Sequence, residues 1–478
     1  MTLRLHNSLT KVTEDFEPLG ETVGIYSCGP TVYDHVHIGN LSAFIFADTL
    51  RRTLTASGYS VHHVMNFTDV DDKTIKRSAL EYPNEMPLDA LSKSTEHYAD
   101  IFLGDMKSVG NDVSAYDFIR ATDPETIDGM RQMITELYER GFAYIADDGV
   151  YFDIKAYRDS GKTYGQLVDV TVSSTAQSRI SNDEYDKESA QDFALWKTAK
   201  PGEPFWEFKI RDTALNGRPG WHIECSVMSK LKLGQPFDIH TGGIDLKFPH
   251  HENEIAQSTA GSDSAIYAAI FMHNEHILVD GKKMAKSAQN FFTLADLENN
   301  GVDPLAFRLL VLQSHYRNPT NYSHDNAEAA HNRLKHWRDV ACLRHQIHDT
   351  IDDDNDKRLA LHATSGAILE ALQNDIDTPK ALAIVDEAFG RLEQSNIDHI
   401  NRSAFIQLLE LIDDTLGLNL VNSTPDIDDD AKRIIIERER ARDDKNWQLS
   451  DKFRDKLIDR GIAIRDTSSG TVWTRLTD

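Results

Sequence analysis

A strand, a helix and a second strand follow one another between residues 22 and 66, and no other stretch restricts the fold of this chain as tightly. ThrValGlyIleTyrSer (22–27) alternates as a strand does, and Gly29-Pro30 turns the chain after it. Leu41, Phe44, Ile45, Leu50 and Leu54 then recur near helical spacing within 40–57. Gly58 stops that helix, and TyrSerValHisHisVal (59–64) reads as the next strand. The order predicts an α/β fold, because a βαβ unit of this length opens a doubly wound, nucleotide-binding sheet.

The alternation then lapses. From about 120 to 218, turn-rich stretches such as AspSerGlyLys (159–162) and LysProGlyGluPro (200–204) interrupt it. It resumes over 219–270, so the middle is read as an insertion in the sheet. HisIleLeuValAspGlyLysLysMet (276–284) carries an Asp-Gly pair between short flanks, a hairpin signal. From about 294 to 420 the pattern is mainly helical, and Asp377-Thr378-Pro379 reads as an N-cap with proline at the first helical position. Two acidic loops are expected, Asp352–Asp354 and Asp428–Asp430, the second a linker into a last domain.

A chain of 478 residues implies two to four domains. No apolar run reaches the ~18 residues that span a bilayer, and the N-terminus lacks the apolar stretch of a signal peptide. A cytoplasmic enzyme without a membrane partner is expected. Three cysteines, Cys28, Cys225 and Cys342, are too few and scattered for a disulfide framework, which leaves free thiols or metal ligands. The net charge of −26 argues against a general nucleic-acid coat. Residues 431–478 run the other way, with twelve Lys and Arg against nine Asp and Glu, and point to a polyanionic partner there.

Three clusters carry chemistry. Between the first strand and its helix, His37-Ile38-Gly39-Asn40 sits where a phosphate chain meets a helix start; a polar turn with a capping Asn is the plainer alternative. LysMetAlaLysSer (283–287) follows the hairpin and offers lysines to a transition state that gathers negative charge on phosphates. Gly161-Lys162-Thr163 ends like a P-loop, but Ala156 stands where that motif needs glycine, so it reads as an ordinary turn. The third cluster joins Cys28 and Cys225 to His250 and Glu254, which are four apart and share a helix face, whereas His251 and Glu252 are expected to point elsewhere. Spacing leaves two readings open, a two-Cys, one-His, one-Glu metal site or a buried thiol beside surface His and Glu.

Longer strings give a resemblance. His37–Asn40 matches the HIGH signature and Lys283–Ser287 matches KMSKS. Around them stand SCGPTVYD (27–34), NFTDVDDK (66–73), GRPGWHIECS (217–226), FDIHTGGIDLKFPHHENEIAQS (237–258), HYRNPTNYS (315–323), DIDTPKAL (375–382) and GTVWTR (470–475). Over nearly its whole length the chain resembles the cysteinyl-tRNA synthetase family of class I aminoacyl-tRNA synthetases. The resemblance implies a Rossmann-like parallel sheet with an insertion, a helical bundle and a small C-terminal anticodon-binding domain. It divides the chain into two catalytic halves (1–119 and 219–270), a connective insertion (120–218), a KMSKS-loop region (271–325), the bundle (326–424) and the anticodon domain (425–478).

The same resemblance implies one Zn2+ per chain on Cys28, Cys225, His250 and Glu254. A borderline-soft metal separates the readily ionised thiol of L-cysteine from serine's hydroxyl. Thr68, Trp221 and Asp245 would surround the amino acid and its adenylate. His37, Gly39 and Asn40 would meet ATP, with Mg2+, and Lys283 and Lys286 would stabilise the charge passing to pyrophosphate. Arg442, Trp447, Asp451 and Asp466 match positions used on the anticodon of tRNA(Cys), and the family favours a monomer. Asn40 replaces the last His of HIGH and cannot carry its charge; Ala285 replaces the first Ser of KMSKS and leaves both lysines. Two rivals remain: a ligase joining cysteine to an amino-sugar, and a non-enzymatic zinc-containing RNA-binding protein. The basic C-terminal segment argues against the first, and the pairing of 37–40 with 283–287 against the second.

Overall fold

The computed structural model describes residues 2–168, 179–180, 191–262, 264–284, 290–347, 355–394, 397, 400–467 and 470–476. The first βαβ unit consists of β1 (Thr22–Ser27), α1 (Ile38–Ala56) and β2 (Ser60–Phe67). Gly58 takes φ +92°, a conformation open to glycine that lets the chain leave α1 and turn into β2. β3 (Tyr116–Arg120), β4 (Phe237–Gly243) and β5 (Ala268–Asn274) complete a five-stranded sheet, parallel throughout, in the order β3-β2-β1-β4-β5. The order reverses between β1 and β4. Such a reversal opens a crevice at the carboxyl ends of the strands, where ligands of doubly wound folds bind.

Both faces of the sheet are covered, so β1 is buried on both sides from Val23 to Ser27 even though its sequence alternates. Val23, Ile25, Leu50, Leu54, Ile239 and Met272 pack on the α1 side. Tyr26, Val64, Ile119, Phe237 and Phe271 pack on the other side, against Cys225 and Met228 of α2 (Trp221–Leu233) and Ile255 of α3 (Glu252–Ala260).

The insertion lies between β3 and β4. Helix Pro124–Glu139 precedes antiparallel strands Ala143–Ala146, Gly149–Phe152, Asp192–Thr198 and Gly217–Pro219, with Arg179–Ile180 parallel to Asp192–Thr198. Its core, including Phe152, Phe193 and Trp196, continues into Ile223 and Val227 of α2 and Ala256 and Ala260 of α3. The inserted sheet therefore buttresses the two helices that carry Cys225 and Glu254.

The Asp-Gly signal marks a real hairpin. Ile277–Val279 pairs with Lys282–Lys283, and Asp280 and Gly281 between them have φ of 48° and 74°, as a type I′ turn requires. Helices α4 (Pro304–Leu312), His324–Ala341, Asn355–Gln373, Thr378–Gln394 and α5 (Arg402–Leu416) follow. Asp377 does cap its helix, accepting from Lys380 N at 3.1 Å, but Pro379 stands second because Thr378 is already helical. Asp428–Asp430 is not a loop. Asp428 caps α6 (Asp429–Asp443) and Asp429 and Asp430 fill its first turn, where the helix dipole favours them. Asp352–Asp354 lie outside the described residues.

Helix α7 (Trp447–Ile458) and a terminal hairpin, Ile462–Thr467 with Gly470–Arg475, close the chain. Their core of Ile427, Ala431, Ile435, Leu457, Ile462 and Trp473 includes Cys342, which serves packing there. Among the described residues no helix is long and apolar enough to cross a membrane.

Candidate active site and metal centre

The crevice between β1 and β4 is built by tight backbone packing. Ser27 Oγ lies 2.6 Å from Thr241 Oγ1 and 2.7 Å from His63 Nε2, which ties the two strand ends to β2. Gly29 follows Cys28, and a Cβ there would stand 1.7 Å from Asn66 O, so only glycine lets the loop lie this close to β2. Gly220 plays the same part before α2, where a Cβ would meet Ala194 O at 2.0 Å. These contacts deliver Cys28 and Cys225 to one point, with their sulfurs 3.9 Å apart.

His250 and Glu254 arrive from the third side. Phe248 is extended at φ −139°; the chain is helical after Pro249, as expected, and becomes a regular α-helix at Glu252. The i,i+4 relation still holds, with His250 Nε2 2.9 Å from Glu254 Oε1. Donor atoms of Cys28, Cys225, His250 and Glu254 all lie within 4.8 Å of one another. A tetrahedral zinc with ~2.3 Å bonds to sulfur would separate two thiolates by about 3.8 Å. The donor set and its spacing fit such an ion.

A second set, Cys28, His240, His251 and Glu254, meets the same distance test. His251 does not point elsewhere as expected; its Nε2 is 3.3 Å from Cys28 Sγ, and its Nδ1 is 2.8 Å from His273 Nε2. Hydrogen bonding separates the two sets. His240 has both ring nitrogens engaged, Nε2 with Glu254 Oε2 at 2.6 Å and Nδ1 with Tyr26 O at 3.2 Å. Tyr267 also donates to Glu254 Oε2, at 2.9 Å. Glu254 is therefore held by one oxygen and presents the other, Oε1, to the cysteines. His222 Nδ1 lies 2.8 Å from His250 Nδ1 and leaves His250 Nε2 facing the same point. Partners behind the ligand atoms orient them, as at metal sites generally.

The electrostatics agree with a cation-seeking pocket. Burial raises Glu254, but His240 and His250 outweigh it and hold the carboxyl well below the usual range. Burial opposes a charged His250, yet Glu254 and Cys225 beside it push its pKa up to about 10. Burial likewise opposes a thiolate at Cys225, but the hydrogen bond from Cys28 brings it down to about 6, while burial pushes Cys28 up.

Trp221 stacks on His250, with ring centroids 4.3 Å apart and planes 18° apart. Thr68 donates to Glu224 Oε2 at 2.8 Å, one residue before Cys225, and both are buried. Asp245 is exposed on the turn that follows β4. Glu224, His222, His240, His273 and Tyr267 belong to no cluster that the sequence singles out, and spacing sets His251 aside. The parallel register brings His240 and His273 together, with Gly242 opposite His273 and Ile239 opposite Ile25, while α2 supplies His222 and Glu224 and the turn before α3 supplies His251.

At the start of α1, His37 caps the helix by accepting from Asn40 N at 3.2 Å, and Asn40 itself is exposed. Gly39 is confined: a Cβ would stand 2.5 Å from Met284 Cε and 2.9 Å from the His37 ring. Ile38 N donates to Phe292 O at 2.9 Å, and the His37 ring meets Phe291 edge-on at 5.0 Å. The segments on both sides of 285–289 thus touch the turn at 37–40. Lys283 is exposed on the hairpin strand, and Lys286 lies outside the described residues.

In the C-terminal region, Trp447 is 58% exposed and Asp451 is exposed. Asp466 accepts from Arg438 at 2.7 and 2.8 Å and from Arg442 at 2.6 Å. Arg438 is buried and was not foreseen; Arg442 also stands 5.9 Å from the Trp447 ring centre.

Comparison with known proteins gives this arrangement a family. Residues 15–332 match the model of the class I (C) tRNA synthetase catalytic domain, and residues 424–473 match that of the cysteinyl-tRNA ligase anticodon binding domain. The chain is 39% identical to a cysteine–tRNA ligase of Chlamydia muridarum over 98% of its own length and 99% of the relative's. It is 38% identical to one of Brachyspira hyodysenteriae, with 98% of each chain covered. Among solved structures it resembles the LeuRS of an Agrobacterium radiobacter K84 complex with tRNA and LeuAMS (TM-score 0.60, 12% identity, 85% of each chain). It also resembles a methionyl-tRNA synthetase of Mycobacterium tuberculosis (TM-score 0.58, 13% identity, 85% of this chain and 92% of that one), and both likenesses bear on fold alone. With both family models matched in order and full-length relatives at this identity, the chain belongs to the cysteine–tRNA ligase family of class I aminoacyl-tRNA synthetases.

Proposed function

We propose that this chain joins the carboxylate of L-cysteine to ATP, releasing pyrophosphate, and passes the cysteine from the adenylate to the 3′-terminal adenosine of tRNA(Cys). The observation that carries the reading is the meeting of two thiols, an imidazole and a carboxylate within 4.8 Å at the end of β1, from which the chain runs into the turn at 37–40. Cys28, Cys225, His250 and Glu254 would hold one zinc. When bound, that ion supplies a soft centre that prefers a thiolate to a hydroxyl, a distinction that a shape-based pocket makes only ~10²-fold.

The protein's own groups do the rest. Trp221 walls the amino acid, and Thr68 and Asp245 offer oxygens to its ammonium or to the adenylate. His37, Gly39 and Asn40 let the ATP phosphates, with Mg2+, approach the start of α1, and Lys283 and Lys286 bring positive charge to the departing pyrophosphate. No protein nucleophile is needed, since both transfers are between substrates held in line. Arg442, Trp447, Asp451 and Asp466 would meet the anticodon. We assign 1–119 and 219–270 to the catalytic body, 120–218 to a connective insertion, 271–325 to the KMSKS-loop region, 326–424 to the bundle and 425–478 to the anticodon reader, in a cytoplasmic monomer.

The test is cysteine-dependent exchange of pyrophosphate into ATP, followed by charging of tRNA(Cys). Exchange without charging of any tRNA would favour a cysteine ligase for another acceptor. Absence of exchange would remove the enzymatic reading altogether.

A further inference from the structure

Away from the crevice, among the described residues, Asp48, midway along α1, is a buried carboxylate with three arginine partners. Its side chain is fully buried, as is that of Arg308, while those of Arg51 and Arg52 are 11% and 14% exposed. Asp48 Oδ2 accepts from Arg52 Nε at 2.6 Å and Arg308 Nη2 at 2.8 Å, and Oδ1 accepts from Arg51 Nη2 at 2.9 Å. Three guanidiniums thus surround one carboxylate, and Asp112 lies only at 4.0 Å from Arg51. The cluster keeps an excess of positive charge in a place shielded from water.

That excess is answered by the end of α5. Arg308 Nε donates to Leu416 O at 2.5 Å, and Arg52 Nη1 donates to Asp413 O and Asp414 O, each at 3.2 Å. These are last-turn carbonyls, where the helix dipole is negative and cations are favoured. The same guanidiniums reach the turn after helix Pro87–Ser108, with Arg308 Nη1 3.1 Å from Val109 O and Arg52 Nη2 3.0 Å from Gly110 O. Gly417, at φ +67°, closes the joint, because a Cβ there would stand 2.7 Å from Arg308 Cζ.

Two of the joined elements lead directly to the ATP-facing turn. Asp48 is eight residues beyond Asn40 on α1, about 12 Å along one rigid helix. From Arg308 on α4 the chain runs back through helix Leu294–Asn299 to Thr293, which bridges His37, and Phe292, whose carbonyl holds Ile38 N. A shift of α5 against α1 would leave buried guanidiniums without acceptors, so the joint permits one arrangement of these parts.

We infer that Asp48, Arg52 and Arg308 are positioning residues, through which the C-terminal end of α5 fixes where α1 presents His37–Asn40 to ATP. The inference rests on the proposed reaction and adds to it a part that touches no substrate. Cys225, His250 and Glu254 of the cysteine pocket lie with α2 and α3 on the sheet face opposite α1, so the joint is expected to act on ATP rather than on cysteine.

Arg52→Met tests this, because it keeps the Asp48–Arg308 pair and removes the ties to Asp413, Asp414 and Gly110. With rates scaled to active sites counted by the adenylate burst, KM for ATP is expected to rise about tenfold, the scale of a small misplacement of a reacting group. KM for cysteine should stay within about twofold. Arg52→Lys keeps charge near Asp48 but cannot fork to several acceptors, so it should recover only part of the ATP effect; it also carries the test if Arg52→Met does not fold. A purely structural role would lower the count of active sites and leave both KM values in place, and either that result or a joint rise of the two constants overturns the inference. Absence of cysteine-dependent exchange in the parent enzyme would overturn the proposed reaction first, and this inference with it.

Discussion

Around Glu254, side chains are held by other side chains before any ligand arrives, whereas around Trp447 they stand open. Glu254 has one oxygen fixed by His240 and Tyr267, and His250 is braced by His222 and Trp221. Trp447 lies 58% exposed, with Arg442 held between its ring and Asp466. The difference follows from what each region would recognise. One thiol among small amino acids can be told apart only by a rigid, desolvated site, since loose positioning loses both selectivity and rate. Bases of a folded RNA bring their own shape, so stacking faces and hydrogen-bonding groups can await them in water.

The sharpest break would come at the candidate metal site. In a Cys225→Ala, His250→Ala double variant, elemental analysis should find zinc at background, against about one equivalent in the parent. Losing two ligands should cost far more than the ~10–100-fold that loss of a supporting residue costs. Undiminished zinc would mean that the preorganised pocket serves something else, and the contrast between the two regions would lose its basis.

Separating the regions is the next largest test. A chain ending near Pro425 should keep cysteine-dependent exchange near the parent value and charge tRNA poorly at low tRNA concentration, because base and phosphate contacts go together. The cut also uncovers Cys342 and breaks the Gln346–Trp473 hydrogen bonds, so circular dichroism must first show that the bundle is intact. Normal charging by the truncated chain would end the division of labour. Within the catalytic body, Lys286→Ala should slow adenylate formation by about 10²-fold and leave KM for cysteine nearly unchanged. An unchanged kcat would take Lys286 out of the reaction. Trp447→Ala should weaken charging by about 1–3 kcal/mol if a base stacks on that ring, with exchange unaffected.

The sequence was most legible where a feature is local. The span 22–27 alternates and is β1; the Asp280-Gly281 pair demands positive φ and makes its hairpin. His250 and Glu254 share a face because they are four apart, and the geometry brings both to the two cysteines. What stayed hidden depends on register between distant strands. His240 and His273 lie on neighbouring strands, and nothing in their own segments says that they converge behind Cys28 and Glu254. The Asp48 joint was hidden for the same reason, since its partners lie 260 residues away on α4 and more than 360 away on α5. Asp428–Asp430 misled because acidic runs suit both a solvated linker and a helix start.

The smallest expected effect asks whether the open region has a fixed point of its own. Arg438 is buried with its guanidinium on Asp466, and the hydrogen bonds from it, opposed by partial burial, bring the Asp466 carboxyl down to about 2. An unfolded aspartate titrates near 3.9. A folded value below the unfolded one means that the contribution is fully present above about pH 4 and fades as pH falls through about 2. Asp466 is partly exposed, so solvent screening reduces the linkage to about 1–2 kcal/mol. Urea unfolding of the C-terminal domain, followed by tryptophan fluorescence, should show the parent losing stability over that window faster than Asp466→Asn. At neutral pH the variant should be the less stable, because Arg438 stays buried without its partner. The two curves should draw together as pH falls through about 2, below which the parent carboxylate is also largely protonated, and carboxylates common to both proteins cancel from the difference. A gap that stays constant with pH would show that the Asp466 charge does not anchor the hairpin, and that Arg442 and Trp447 rest on packing alone.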